Sequence, residues 1–270
     1  MKIKKILVSQ PRPKSDKSPY YDLAEKNNLQ IDFRPFIHVE GISAKEFRKS
    51  KVDILAHSAV IMTSRTAVDH FFRICEEMRI TVPESMKYFC ISENTAYYLQ
   101  KYIIYRKRKI FYGNGRFSGL MDIIMKHKGE KFLVPLSDTH KEEVPKTLKK
   151  HNLDFTKAIL YRTVCSDLSD LKDIDYDMLV FYSPSGIKSL FENFPDFQQN
   201  TTKIASFGTS TAKAAKKFGL KLDLQAPKPN MPSMTMALDH YIKEFNKNHN
   251  GKKNVSSQTN GSTGNHQNKI

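Results

Sequence analysis

Lys5-Ile6-Leu7-Val8 near the start of the chain and Lys131-Phe132-Leu133-Val134 near its middle read alike, and the segments after each decide the fold. A polar loop and a segment of helical period come next in both places. The first then reaches Asn28-Leu29-Gln30-Ile31-Asp32-Phe33 and the second Asn152-Leu153-Asp154-Phe155. A second pair of segments runs from an apolar stretch into a helix: Val60-Ile61-Met62-Thr63-Ser64 and Leu179-Val180-Phe181-Tyr182-Ser183. A third pair is Phe89-Cys90-Ile91-Ser92-Glu93-Asn94-Thr95-Ala96 and Ala205-Ser206-Phe207-Gly208-Thr209-Ser210-Thr211-Ala212. Matched segments in the same order argue for two copies of one structural unit.

Working outward, short apolar runs alternate with longer helical stretches, which is the signature of an α/β protein. Strands are expected at Lys4–Ser9, Val60–Thr63, Tyr88–Ile91, Phe132–Pro135, Met178–Tyr182 and Ile204–Phe207, with helices such as Ala67–Glu77 and Thr211–Phe218. Each copy also carries an extended stretch at the junction of its parts, Phe33–Val39 and Lys157–Val164. Paired antiparallel, these would make a two-stranded ladder linking two lobes.

Composition bounds the function. The 270 residues are 39% hydrophobic, enough for real cores, and no stretch approaches the ~18 to 20 unbroken apolar residues of a membrane helix. The basic start, Lys2, Lys4 and Lys5, leads into an apolar run that stops at Ser9-Gln10-Pro11, which reads as a strand and not as a secretion signal. Three scattered cysteines and no CxxC or HExxH spacing suit a reducing compartment and argue against a metal site, so a cytoplasmic protein without a metal is expected. The net charge is +16. Lys247, Lys252, Lys253 and Lys269 supply four of those charges from the segment 246–270, which contains no acid and only Val255 and Ile270 as apolar residues. That segment is expected to be a disordered tail. The remaining +12 implies a highly acidic small ligand or a nucleic acid as partner.

In parallel α/β sheets ligands bind beyond the carboxyl ends of the strands, where loops turn into helices. Small hydroxyl residues and glycine stand at those points here. Ser183-Pro184-Ser185-Gly186 pairs an N-cap serine with proline at the first helical position and a glycine that admits close approach of a ligand. Thr63-Ser64-Arg65, Gly208-Thr209-Ser210-Thr211 and the turn containing Asn94 and Thr95 read the same way. Free amides at such helix starts attract carboxylates or phosphates. The candidate substrate-binding residues are therefore Thr63, Ser64, Arg65, Asn94, Thr95, Ser183, Pro184, Ser185, Gly186, Gly208, Thr209, Ser210 and Thr211. Four similar turns suggest a shared anion-binding cleft.

Other motifs carry less. Tyr112-Gly113-Asn114-Gly115-Arg116 lacks the GK[ST] ending of a P-loop, and no GxGxxG comes after the first strand. Arg106-Lys107-Arg108-Lys109, bracketed by Tyr105 and Tyr112, has the look of a nucleic-acid patch, but such runs are more often solvated faces. Asp138-Thr139-His140 offers an acid-base pair without a nucleophile at recognisable spacing. Met231-Pro232-Ser233-Met234, with Met236, reads as packing before a last helix.

These residues resemble the uroporphyrinogen-III synthases. Ser183-Pro184-Ser185-Gly186 is similar to the family's turn after a hydrophobic strand, and Gly208-Thr209-Ser210-Thr211-Ala212 to its Gly-Pro-Thr-Thr-Ala helix start. Thr63-Ser64-Arg65-Thr66-Ala67-Val68 resembles its Thr-Ser-x-x-Ala-Val turn, and Tyr161-Arg162-Thr163 its Tyr-x-Thr. The likeness runs in order from residue 4 to about 244. It departs at Ser9-Gln10-Pro11, where many members read Thr-Arg-Pro, at Ser92 for a usual glycine, and at Ser210 for a threonine.

The resemblance implies two flavodoxin-like parallel-sheet domains joined by a two-stranded β-ladder. The first lobe would be discontinuous, 1–36 plus 164–245, and the second would span 40–158. The substrate implied is hydroxymethylbilane, a linear tetrapyrrole with eight carboxylates. A hydro-lyase of this family removes its hydroxyl as water and closes the ring with the last pyrrole inverted, using no cofactor. The chemistry is mainly one of positioning. Tyr161, on the expected ladder, is the candidate proton donor to the departing hydroxyl. A monomer is expected. A catalytically silent tetrapyrrole-binding homologue and a basic nucleic-acid-binding module remain as alternatives.

Overall fold

The computed structural model describes residues 2–140, 142–171 and 175–255, with side chains described through Lys247. In chain order the elements begin with β1 (Lys5–Val8), α1 (Pro19–Asn27), β2 (Gln30–Phe33), β3 (Ile37–Gly41), α2 (Ala44–Lys49), β4 (Ala59–Met62) and α3 (Arg65–Glu77). Next come β5 (Lys87–Cys90), α4 (Glu93–Tyr98), β6 (Ile110–Tyr112), α5 (Phe117–Ile124), β7 (Phe132–Ser137), α6 (Glu143–Lys150) and β8 (Phe155–Cys165). The last are β9 (Met178–Phe181), α7 (Pro184–Asn193), β10 (Lys203–Phe207), α8 (Thr209–Lys217), β11 (Leu224–Ala226) and α9 (Met234–Val255). The chain divides into two compact units, one of Met1–His38 with Cys165–Ile270, the other of Val39–Val164.

In the first unit a five-stranded sheet has the order β2-β1-β9-β10-β11, and every neighbouring pair is parallel. Strand β9 is buried at all four positions, as expected of a strand covered on both faces. Alternation along the strands splits the core in two. Ile6, Val8, Met178 and Val180 meet Tyr20 and Leu23 of α1 and Ala237, Leu238 and Ile242 of α9. Leu7, Leu179 and Phe181 face the other way, onto Ile187 and Leu190 of α7 and Ala215 of α8. The strand order reverses at β1, so the ends of β1 and β9 form the switch point where such sheets bind ligands.

The second unit repeats the plan in a six-stranded sheet, β3-β8-β7-β4-β5-β6. Strands β8, β7, β4, β5 and β6 run parallel to their neighbours in that order. Val60 and Met62 of β4 face Val68, Phe71 and Ile74 of α3, while Ala59 and Ile61 face Phe117, Leu120 and Ile124 of α5. Here the order reverses between β4 and β7, which end at Met62 and Ser137. Both sheets are thus parallel α/β, the class read from the sequence.

Two expectations change in detail. The single extended stretch over Phe33–Val39 is two strands: Phe33 closes β2 and β3 opens at Ile37. Pro35 has no N–H to give a ladder, and the carbonyl of buried Phe36 accepts from Ser166 N (2.9 Å) and from Ser189 Oγ. Its partner stretch, Lys157–Val164, lies within the longer β8, beside β3 in the sheet. The second change concerns the tail. Helix α9 continues to Val255, so 246–255 are helical where composition predicts no structure, and 256–270 lie outside the described residues. A helix already nucleated on a packed apolar face extends at little cost per residue, and Asn246 Oδ1 accepts from Ile3 N at 3.0 Å. Among the described residues no helix is long and apolar enough to cross a membrane.

Candidate active site

In the second unit, Ser64 leaves β4 in an extended conformation (φ −163°, ψ 165°) and caps α3 by accepting from Ala67 N at 3.0 Å. Thr63 beside it is half-buried, and the exposed Arg65 lays its guanidinium over the Tyr98 ring, 5.3 Å from the centroid. Tyr161 arrives from β8 in register with Ser137, with the Ser64 side chain near its hydroxyl. Burial pushes the Tyr161 phenol up, and the nearby Ser64 hydroxyl only partly offsets it, so the group stays protonated through neutral pH. One face of its ring stacks on His70, with centroids 5.0 Å apart and planes 19° from parallel. Tyr161 and the Thr63–Arg65 turn, chosen separately from the sequence, meet at one strand end.

The neighbouring turn is less open to ligand. Ser92 repeats the cap geometry of Ser64 (φ −149°, ψ 162°), but Thr95 is buried and its hydroxyl is engaged with Ser92 Oγ at 3.1 Å. Asn94 is exposed and lines an open pocket of about 640 Å³ with Glu93, Tyr112, Asn114 and Asp122. Two carboxylates in that lining work against a second anion.

In the first unit Ser183 caps α7 with the same geometry (φ −148°, ψ 153°), accepting from Gly186 N at 3.1 Å. Pro184 is exposed at the first helical position and Ser185 is half-buried. Gly186 is buried, and a Cβ there would stand 3.6 Å from Ser9 Oγ at the end of β1, in ordinary contact. On the adjacent strand Gly208 adopts φ 86°, ψ 151°, a conformation that favours glycine, and no side chain caps α8 among the described residues. Thr209 and Ser210 are exposed there. Thr211 is fully buried, and its Oγ1, like Ser206 Oγ, has no hydrogen-bond partner among the described residues. The open amides of the α8 start, together with its hydroxyls, make it a ready anion site.

Sequence reasoning missed several groups. Tyr20 and Tyr182 bring their hydroxyls to 2.5 Å at the end of β9, and burial raises both phenols. His70 and Arg73 lie on α3, where their i, i+3 spacing was a signal, but only the fold shows what they touch. Other motifs prove structural. Asp138 Oδ1 accepts from Ser137 Oγ (2.9 Å), Thr139 N (2.8 Å) and Thr163 N (3.2 Å), and His140 Nδ1 binds Ser137 O at 2.8 Å. Burial pushes the Asp138 carboxyl up, but those bonds outweigh it and hold it below the usual range. Arg106 pairs with Glu84 at 2.7 Å, Lys109 binds the Glu84 carbonyl, and Tyr112 binds Glu93 at 3.1 Å. Met234 is buried where α9 begins. Among the described residues no three His, Cys, Asp or Glu side chains come together as metal ligands.

Two parallel-sheet units with hydroxyl-lined helix starts at their strand ends define an α/β protein of the class that binds ligands beyond its strand ends. A family model described as uroporphyrinogen-III synthase HemD matches residues 18–236, and the chain belongs to the uroporphyrinogen-III synthase family. It is 23% identical over 257 residues to the uroporphyrinogen-III synthase of Chlorobaculum parvum, covering 89% of this chain and 100% of the relative. In fold it is similar to the crystal structure of uroporphyrinogen-III synthetase from Helicobacter pylori 26695, at 18% identity and a TM-score of 0.58, over 90% of this chain and 100% of that one. A mutant uroporphyrinogen III synthase from the extremely thermophilic bacterium Thermus thermophilus is similar at 15% identity and a TM-score of 0.50, over 89% of this chain and 99% of that one.

Proposed function

We propose that this chain is an active uroporphyrinogen-III synthase, a hydro-lyase that closes hydroxymethylbilane to uroporphyrinogen III with loss of water and inversion of the last pyrrole. The observation that carries the reading is Tyr161, a half-buried phenol kept protonated by burial, stacked on His70 and placed beside the serine that opens α3. A proton donor at a helix start suits a reaction in which a hydroxyl must leave. The phenol gives its proton to the departing oxygen, water leaves, and the phenolate that remains sits at the positive end of α3 with the Ser64 hydroxyl beside it. Ring closure at the inverted pyrrole then returns a proton.

Most of the work is positioning. Helix-start amides and hydroxyls suited to substrate carboxylates stand at Thr63–Arg65 in one unit and, independently, at Ser183–Gly186 and Gly208–Ser210 in the other. Gly208 leaves the α8 amides open, beside the exposed Thr209 and Ser210. The test is a direct one: freshly made hydroxymethylbilane is incubated with purified protein, the products are oxidised, and the isomers are separated. Uroporphyrinogen III is expected. Type I isomer alone at every enzyme concentration would leave a silent tetrapyrrole-binding homologue as the better reading.

A further inference from the structure

Helix α3 carries a chain of contacts that ends on Tyr161. The Arg73 guanidinium donates from Nη2 to the carbonyl of Ile42 at 2.8 Å and to that of Leu160, the residue before Tyr161, at 3.2 Å. Its Nη1 is paired with Glu77 one turn on, and its Nε donates to His70 Nδ1 at 3.1 Å. His70 in turn stacks on the Tyr161 ring, whose hydroxyl has the Ser64 side chain nearby. The planar guanidinium fork thus fixes three things at once: the backbone on which Tyr161 is mounted, the end of β3, and the imidazole against the Tyr161 ring. Space for it is reserved at Gly41, where a Cβ would lie 2.5 Å from the guanidinium carbon.

The imidazole can play this part only while neutral, because Nδ1 must keep its lone pair to accept from Arg73. Its surroundings favour that form. Burial and the Arg73 charge push the His70 pKa down, against the weaker pull of Asp69 and Glu77. Asp69 is itself engaged, accepting from Tyr98 at 2.9 Å, from Tyr102 and from Lys101 at 3.2 Å.

We propose that His70, held by Arg73, is a positioning residue for the cyclisation: its ring forms the wall that sets the Tyr161 phenol at the start of α3. The inference rests on the proposed synthase reading and on Tyr161 as its proton donor. A wall of this kind affects kcat through the orientation of one ring, and an aromatic pair's coupling corresponds to about 3- to 10-fold in rate.

The experiment compares wild type, His70→Ala, His70→Phe, Tyr161→Phe and the His70→Ala/Tyr161→Phe double variant, by steady-state kinetics on hydroxymethylbilane with isomer analysis and a denaturant melt of each. His70→Ala is expected to lose about 3- to 10-fold in kcat with little change in KM. His70→Phe, which keeps a flat ring but cannot accept from Arg73, should recover most of that loss. Both lose the Arg73 bond, so both should melt earlier by similar amounts, separating stability from rate. In the Tyr161→Phe background His70→Ala should cost nothing further, because it acts through the missing hydroxyl. The inference is overturned if His70→Ala keeps wild-type kcat, if His70→Phe is as slow as His70→Ala, or if the losses multiply in the double variant. A wild type that yields only type I isomer in the same assay instead overturns the synthase reading, and this inference with it.

Discussion

At Tyr161 two effects oppose each other, and the larger one favours its proposed task. Burial disfavours the phenolate, the nearby Ser64 hydroxyl favours it, and burial wins. The phenol therefore holds its proton above the ordinary value near 10, ready to donate at every pH where the substrate is handled. Tyr161→Phe removes the proton and keeps the ring against His70. It should lower kcat about 5- to 50-fold, less than the ~100-fold of a well-matched general acid because a phenol is a weak one. KM and the denaturant midpoint should change little. The pH dependence has a definite sign. A donor must be protonated, so wild-type kcat should stay level through about pH 9 and fall only above the usual phenol range. That alkaline fall should vanish in Tyr161→Phe. A variant with wild-type kcat and an earlier melt would make Tyr161 a structural residue. Tyr161 was legible in the sequence because it precedes Arg162-Thr163 in a recognisable setting. The spacing of His70 and Arg73 put them on one helix face, but their role was not legible, because the Arg73 partners include backbone carbonyls at Ile42 and Leu160, far away in the chain and featureless in sequence.

The strands and helix starts were legible to different degrees for physical reasons. Strands β4 and β9 are four apolar residues buried on both faces, with a serine cap soon after, and such runs announce themselves. The three-residue β6 and β11 do not, since two residues of β6 and one of β11 are exposed or partly exposed and each strand gains its geometry from a neighbour. The end of α9 departs from expectation because composition measures what a segment can bury, not what a helix already formed can extend. At its packed part α9 is stapled to α1 by Asp239, which accepts from Asn27 Nδ2 (2.9 Å), Lys26 (3.2 Å) and Lys243 (2.8 Å). Burial works against the charged form, but these partners outweigh it and hold the carboxyl at about 2. A depressed folded pKa contributes stability above the unfolded value of 3.8, and that contribution is lost as pH falls from 3.8 towards 2. Asp239→Asn should cost ~1 kcal/mol at pH 7, a figure reduced for the solvent that still reaches the side chain. The difference between wild type and variant should shrink below pH 4. Equal chemical melts of the two at pH 7 would show that the staple adds nothing net.

At the scale of the whole chain, the net charge of +16 is the one property that no single site explains. Lys and Arg outnumber Asp and Glu in both units, so the excess is general and does not belong to the Arg106–Lys109 run alone. For an eightfold carboxylate such as the proposed substrate, a field of this sign raises the local concentration and speeds encounter, and added salt removes the advantage within a Debye length of about 8 to 10 Å. We predict that kcat/KM falls roughly 5- to 10-fold between about 20 and 300 mM ionic strength, a range over which screening of exposed charges becomes nearly complete. The rate at saturating substrate should stay level if the barrier within the complex is set, as proposed, by short-range contacts at Tyr161 and the helix starts. The choice of salt separates steering from competition. Chloride and sulfate at equal ionic strength should give the same curve if screening is the cause, whereas sulfate should inhibit more strongly if anions simply occupy the α8 start. A kcat/KM that ignores ionic strength would mean that the surplus charge serves another partner. The natural suspect would then be the exposed Lys107 and Arg108, tested by salt-dependent binding of single-stranded RNA.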